Sequence, residues 1–382
     1  MFLSFFKMKK TIPTALLMFS LFLTIQSFAQ DCIPESIEQM KPGWKLGHDT
    51  NLGSPAYGIP DMKQIMGRTA KYFELVKKVL PDPAGVVPKH YTLGESPITQ
   101  GAPFAYSLNL YFLEMWCRQN KLIIASETDY WAYIFVNELG WVIPGNDRIG
   151  NFILPNGQEI WQNASRLTDE LFRGYPLISS KTHAGGVAVF IGMKNRLPIR
   201  PVTKEELIQS YKTYWVKQYA DEIKRLEDDK KNMFNTRASQ EKLKKSGYTE
   251  EKIKQLYETI EKSAANHDRL VANLKDDRDK KIPMLDAMMD MMDDQQRKSP
   301  AKTEYINAMI CQPEKLFNEA GTPLVTMDAT YFDPNLPKYV PQSFIVYLRP
   351  PVTKSRNKSI DAIYDALINK LDLDALKAML GK

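Results

Sequence analysis

Residue types that bind metals are scarce in this sequence. Its 382 residues include 3 cysteines and 4 histidines. Neither a His-Glu-x-x-His nor a Cys-x-x-Cys motif occurs, so the sequence predicts no metal site and no bound cofactor. Three histidines, His48, His90 and His183, lie in segments predicted as loops, and a hydrolytic site formed where these loops converge stays open as an alternative. His267 lies on a predicted helix, where packing is the simpler role.

Motifs of nucleophilic and nucleotide chemistry are also absent. The chain has no Gly-x-Ser-x-Gly, no P-loop and no Gly-x-Gly-x-x-Gly. Ser239-Gln-Glu-Lys242 matches Ser-x-x-Lys, but it lies in a highly charged segment where no pocket is expected. The sequence therefore identifies no catalytic residue and does not favour an enzyme.

Long hydrophobic runs are absent after residue 29. The apolar run 11–25 follows two lysines and precedes Ser27 and Ala29, which is the three-part layout of a secretory signal. At about 15 residues it is short of the ~20 that span a bilayer. We predict a signal peptide over 1–29 with cleavage between Ala29 and Gln30. The mature protein would be periplasmic or secreted, with no transmembrane segment.

Charge of one sign is not in large excess. The net charge is +6, and the predicted signal carries three lysines and no acid, so the mature chain keeps 6 − 3, or +3. No basic patch with interleaved aromatic residues occurs, and the sequence predicts no nucleic-acid binding.

Cysteines are too few for a disulfide framework. In an oxidising compartment two of Cys32, Cys117 and Cys311 could pair, but their spacing does not select the pair. A hydrophobic core must therefore hold the fold together.

The first part of the mature chain contains the alternating pattern of apolar and polar residues that is typical of β-strands. In FAYSLNLYF, residues 104–112, apolar residues alternate with Ser107 and Asn109, which predicts a half-buried strand with these two on the polar side. Asn156-Gly157 between apolar flanks predicts a hairpin. The other expected elements are a helix over 62–80 capped by Asp61, strands at 121–126, 130–136, 141–143 and 185–193, and a helical stretch near 164–174.

A helical arm is predicted over 203–298. Thr203 and Glu206 form a capping box, and the segment contains a single glycine, Gly247, followed by Thr249 as the next N-cap. Apolar residues recur every three or four positions on both sides of this break, which favours two long helices packed antiparallel like a coiled coil.

The end of the chain returns to mixed structure. Residues 322–332 and 343–348 read as strands and an amphipathic helix begins at Ser359. Two strands alone make a poor domain, so we expect them to rejoin the first sheet. The sequence thus predicts an α+β fold: an α/β domain with an antiparallel sheet, formed by 30–202 and 299–382, with 203–298 as a charged helical hairpin inserted into it.

Methionines cluster in PMLDAMMDMMDD, residues 283–294. On a helix, Met284, Met288, Met289, Met291 and Met292 fall on one side and the aspartates on the other. Thioethers also bind Cu(I), but no histidine or cysteine is nearby to complete such a site. The pattern favours packing on a core or partner.

Two functional hypotheses follow. The first is an exported binding or scaffold protein that self-associates or binds a protein partner through the arm. Its candidate interface residues are Tyr211, Trp215, Tyr219, Ile253, Leu256, Ile260, Met288 and Met292. The alternative is an extracytoplasmic carbohydrate-binding module or hydrolase that uses the aromatic-rich sheet over 104–161 and the loop histidines His48, His90 and His183. Its candidate ligand-binding residues are Trp116, Tyr130, Trp131, Tyr133, Trp141 and Trp161.

Overall fold

A computed structural model describes most of the chain after the predicted signal. The described residues are 32–47, 61–95, 102–128, 130–138, 140, 148–162, 164–179, 186–237, 240–304, 306, 309–350 and 358–382. The predicted signal peptide with its Ala29–Gln30 cleavage site, the strand expected at 141–143, and His48, Trp141 and His183 lie outside these residues.

The described residues form the α+β fold that the sequence predicts. The strands are β1 (Lys45–Leu46), β2 (Val86–Glu95), β3 (Ala105–Arg118), β4 (Lys121–Ile124), β5 (Trp131–Val136), β6 (Arg148–Ile153), β7 (Glu159–Trp161), β8 (Arg166–Phe172), β9 (Tyr175–Ser179), β10 (Val187–Gly192), β11 (Ile199–Pro201), β12 (Lys302–Thr303), β13 (Thr322–Pro323), β14 (Val325–Met327) and β15 (Ser343–Leu348). The helices are α1 (Pro34–Ile37), α2 (Met62–Val79), α3 (Lys204–Arg237), α4 (Gln240–Lys245), α5 (Glu250–Asp290), α6 (Asp294–Lys298), α7 (Lys358–Lys370) and α8 (Leu373–Lys377).

The main sheet has the order β1-β2-β3-β5-β15-β10-β9-β8, with β4 paired to β3. All its pairings are antiparallel except that of β1 with β2. One face packs against α2, α7 and α8, where Leu108, Ile134 and Phe344 meet Val76 and Ile363 in the largest core. The strand alternation predicted for 104–112 supplies this core.

The late strand β15 lies in the middle of the main sheet, between β5 and β10. It rejoins the first sheet, as the sequence predicts. The other return segment does not: β14 belongs to a second sheet with the order β11-β14-β7-β6. Its strand ends at Met327 because Asp328 starts a turn, in which its carboxylate accepts from the Thr330 amide at 2.8 Å. The expectation of one strand over 322–332 is therefore wrong.

The expectation of a helix near 164–174 is also wrong. This segment is β8, which pairs antiparallel with β9. The connection is the two-residue turn Arg173-Gly174, and both residues have positive φ, +52° and +88°. Two-residue turns of that kind match the twist of paired strands, so the turn selects a hairpin. A smaller correction concerns α2, where Asp61 makes no side-chain capping bond.

The arm is a helical hairpin of α3 and α5. Its start is the predicted capping box, in which Glu206 Oε2 accepts from the Thr203 amide (3.0 Å) and Thr203 Oγ1 accepts from the Glu206 amide (3.2 Å). At the far end Gly247 has φ +84° and Thr249 caps α5 by accepting from the Lys252 amide. These local signals place the reversal of the chain where the sequence predicts it.

Ion pairs show that the two long helices run antiparallel. Lys212 contacts Asp286 and Lys230 contacts Asp268, at 2.5 and 2.6 Å, so residues nearer the start of α3 meet residues nearer the end of α5. α5 has 41 residues. At 1.5 Å per residue it is about 60 Å long.

The base of the arm is part of a core. Tyr211, Trp215 and Leu285 are buried with Phe152 and Ile160 of the second sheet. The predicted methionine face is divided: Met288, Met289 and Met292 pack against this core. Met284 and Met291 are exposed, by 43% and 77%, so the packing interpretation holds for only part of the cluster.

Cys32 and Cys117 form a disulfide, and Cys311 is free and buried. The disulfide joins Cys32, two residues before α1, to the far end of β3. Beside it Ile37 packs on Val87 and Met115. Sequence spacing did not select this pair, because only the fold brings the two residues together.

Candidate functional site

The arm carries the first group of candidate residues. Tyr211, Trp215, Tyr219 and Ile253 are buried between the helices or at their base. Leu256, Ile260, Met288 and Met292 are partly buried. The packing of the hairpin itself therefore covers most of the apolar stripe and leaves only part of it exposed.

That surface contains a groove between α3 and α5, which we call the arm groove. Leu226, Leu270 and Leu274 supply its apolar surface, and its volume is about 490 Å³. Leu226 is buried and Leu274 partly buried, whereas Leu270 is 39% exposed. A depression between two helices, with leucines at its base and polar side chains around it, has a shape that can receive a third helix. The sequence alone does not predict this groove, because Leu226 and Leu270 come together only when the two helices of the hairpin pack.

The rim of the arm groove carries both signs of charge. Arg225 pairs with Glu222 at 2.6 Å and with Asp229 at 2.9 Å. Asp277 accepts a 2.5 Å hydrogen bond from the Tyr219 hydroxyl. Burial raises the pKa of Asp277, but the Tyr219 bond and the charge of Lys281 outweigh it and leave the pKa below its ordinary value. The carboxylate is therefore ionised at neutral pH, and the rim suits a helix whose apolar stripe is flanked by mixed charges.

The aromatic candidates divide into three places. Tyr130 and Trp161 are buried in two different cores. Trp116 is 39% exposed at the disulfide end of β3. Trp131 and Tyr133 lie together on β5, with ring centroids 6.4 Å apart, on the face opposite α2. Only this last pair belongs to a shared surface.

That surface contains two tyrosines that sequence reasoning missed. Tyr111 of β3 is 6.2 Å from Tyr133, and Tyr91 of β2 stacks on Tyr111 at 5.3 Å. The alternation in β3 places Tyr111 on the same side as Asn109 and Ser107. The pairing of β3 with β2 and β5, which brings the three tyrosines together, is not a local signal.

Two histidines are described, and each has a structural contact. His90 lies on β2, so the expectation that it lies in a loop is wrong. Its ring stacks on Phe73 at 3.8 Å and lies near Trp44. Burial lowers the pKa of His90, and the charge of Lys77 lowers it further. His267 Nδ1 lies 2.8 Å from the Ser263 carbonyl of its own helix. Among the described residues no group of three His, Cys, Asp or Glu side chains is placed to hold a metal ion.

Within the described ranges, no helix combines the length and the apolar character needed to cross a membrane. No protein-family model, curated protein or solved structure matches this chain.

Proposed function

We propose that this protein is an exported binding protein, periplasmic or secreted, that takes up a helix of a partner protein in its arm groove. The observation that carries the proposal is the groove itself, with Leu270 exposed at the edge of an apolar surface otherwise covered by the hairpin. Export is supported by the signal pattern of 1–29 and by the Cys32–Cys117 disulfide, because disulfides persist in oxidising compartments.

The occupant that fits is an amphipathic helix. A helix fills a groove with a ridge of side chains at i, i+3, i+4 and i+7. A second copy of the arm would present the same groove, and two concave grooves that face each other cannot fill one another. The mixed charges of Arg225 and Asp277 select a partner helix with both signs beside its apolar ridge.

The test is affinity capture from native envelope extracts with three forms of the mature protein: wild type, Leu270→Glu and Ala265→Glu. Ala265 is exposed on α5, about 140° around the helix from Leu270 at 100° per residue. We expect wild type and Ala265→Glu to capture the same protein and Leu270→Glu to lose it. A synthetic peptide of the captured helix should then bind wild type at least about tenfold more tightly than Leu270→Glu.

Equal capture by all three forms would contradict the arm groove as the binding site. Sedimentation of each form alone, without extract, measures whether that form self-associates. A wild-type dimer that Leu270→Glu dissolves would assign the groove to a second copy and contradict the partner helix.

A further inference from the structure

A second candidate site lies on the main sheet, away from the arm. We call it the tyrosine cleft and define it by Tyr91, Ser107, Asn109, Tyr111, Tyr133 and Glu138. It is an open cavity of about 220 Å³ on the face opposite α2 and α7. On either side of it this face is covered, by the Ile37 cluster at one end and by the second sheet at the other.

The cleft exists because small residues on β3 are flanked by large residues on both neighbouring strands. Asn109 is directly opposite Tyr91 of β2 and Tyr133 of β5. Ser107 is opposite Leu93 and Phe135 in the next row. The backbone continues without a bulge at these positions, so the missing side-chain volume leaves a hollow above β3.

The floor of this hollow is polar. Ser107, Asn109 and Glu138 are 5%, 2% and 8% exposed. The Asn109 amide donates to Ser107 Oγ at 2.9 Å, and Glu138 Oε1 accepts from the Gly140 amide at 2.6 Å. The expectation that Ser107 and Asn109 form the solvent side of a half-buried strand is therefore wrong. Burying polar groups is costly unless they are bonded, and strands that only fill a core avoid them.

A row of hydroxyl groups forms the wall. The Tyr91 hydroxyl donates to the Tyr111 hydroxyl at 2.7 Å, and the Tyr111 and Tyr133 oxygens are 3.2 Å apart. Burial raises the pKa of Tyr133 well above its ordinary value, and the bond with Tyr111 raises it further. Tyr133 therefore keeps its proton at neutral pH. The wall is neutral, with aromatic rings and alternating donors and acceptors.

These features define a ligand class. Cavities that take drug-sized ligands span about 300–1,000 Å³, so 220 Å³ admits a single ring. A ring with several hydroxyl groups matches the phenol hydroxyls of the wall and the amide and carboxylate of the floor, and its apolar face matches the tyrosine rings. We propose that the tyrosine cleft binds one neutral sugar ring.

The test uses the mature full-length protein and glucose, galactose, mannose, xylose and N-acetylglucosamine, each titrated separately. Saturation-transfer NMR detects binding, and Trp131, whose ring is 6.5 Å from Tyr111, reports it by fluorescence. Three variants are compared. Tyr111→Phe removes the central hydroxyl, Asn109→Leu removes the amide, and Tyr248→Phe makes the same change as the first at the exposed end of the arm.

We expect saturable binding of at least one sugar. Tyr111→Phe and Asn109→Leu should each weaken it about tenfold, the equivalent of one hydrogen bond of about 1.4 kcal/mol, and Tyr248→Phe should leave it unchanged. Near-ultraviolet circular dichroism establishes that each variant is folded. The proposal would be overturned if no sugar saturates the wild type, or if Tyr111→Phe and Asn109→Leu bind the sugar as tightly as the wild type and Tyr248→Phe do. Saturation by tetramethylammonium alone, titrated in parallel, would overturn it as well, because it would identify a cation cage.

Discussion

Removing the Cys32–Cys117 disulfide should destabilise the protein by an amount that the structure bounds. The two cysteines are separated by 85 residues. Closing a loop of that length restricts the unfolded chain by about 4.6 kcal/mol at 25 °C. Other contacts keep this part of the protein folded when the disulfide is absent: the Cys32 amide donates to the Asn120 carbonyl at 3.0 Å, and Ile37 packs on Leu113. The entropic value is an upper bound, because a compact unfolded chain already brings the two ends partly together. We therefore expect the double variant Cys32→Ala/Cys117→Ala to lose about 2–4 kcal/mol.

The measurement is urea unfolding of wild type and of the double variant, each with and without reductant. Reductant should shift the wild-type midpoint towards that of the variant and leave the variant unchanged. Loss of under about 1 kcal/mol would refute the reasoning, because it would mean that the N-terminal segment does not restrain the fold.

Three further predictions concern buried or partly buried groups. Leu285→Ala should cost about 3–5 kcal/mol in urea unfolding, because Leu285 is 0% exposed at the base of the arm; a cost equal to that of Leu270→Ala would contradict its place in the core. Burial raises the pKa of Cys311 to about 11, so Ellman's reagent should find no thiol in the native protein at neutral pH and one after unfolding. Burial raises the pKa of Glu206. The hydrogen bonds from Arg200 and Thr203 outweigh burial and leave this pKa below its ordinary value. Its contribution to stability is thus complete above that ordinary value and is lost as the pH falls through the lowered one. Glu206→Gln should flatten this acid loss, and Glu205→Gln should not.

Local sequence signals predicted the arm well. The capping box at Thr203 and the Gly247-to-Thr249 break are decided by residues within one helical turn, so they can be read without knowing the rest of the fold. The α2 helix and β15 were predicted for the same reason, since their apolar periodicity is continuous.

Non-local pairing decided what the sequence missed. The segment Arg166–Phe172 is a strand because β9 pairs with it across a two-residue turn. The groove residue Leu270 and the cleft residue Tyr91 each depend on a partner far away in the sequence. Asn109 shows the limit most clearly: alternation placed it on the polar side of β3, but only the flanking tyrosines turn that side into a buried floor.

Shortening the arm tests the central claim most directly. Tyr219 and Asp277 are hydrogen-bonded across the hairpin, so residues 221–276 can be replaced by a short Gly/Ser loop that leaves the buried base with Leu285 in place. The shortened and intact proteins are then compared in capture from envelope extracts, with urea unfolding of both proteins as the control. The account predicts that the shortened protein folds and loses the partner that the intact protein captures. Capture of the same partner by both would contradict it.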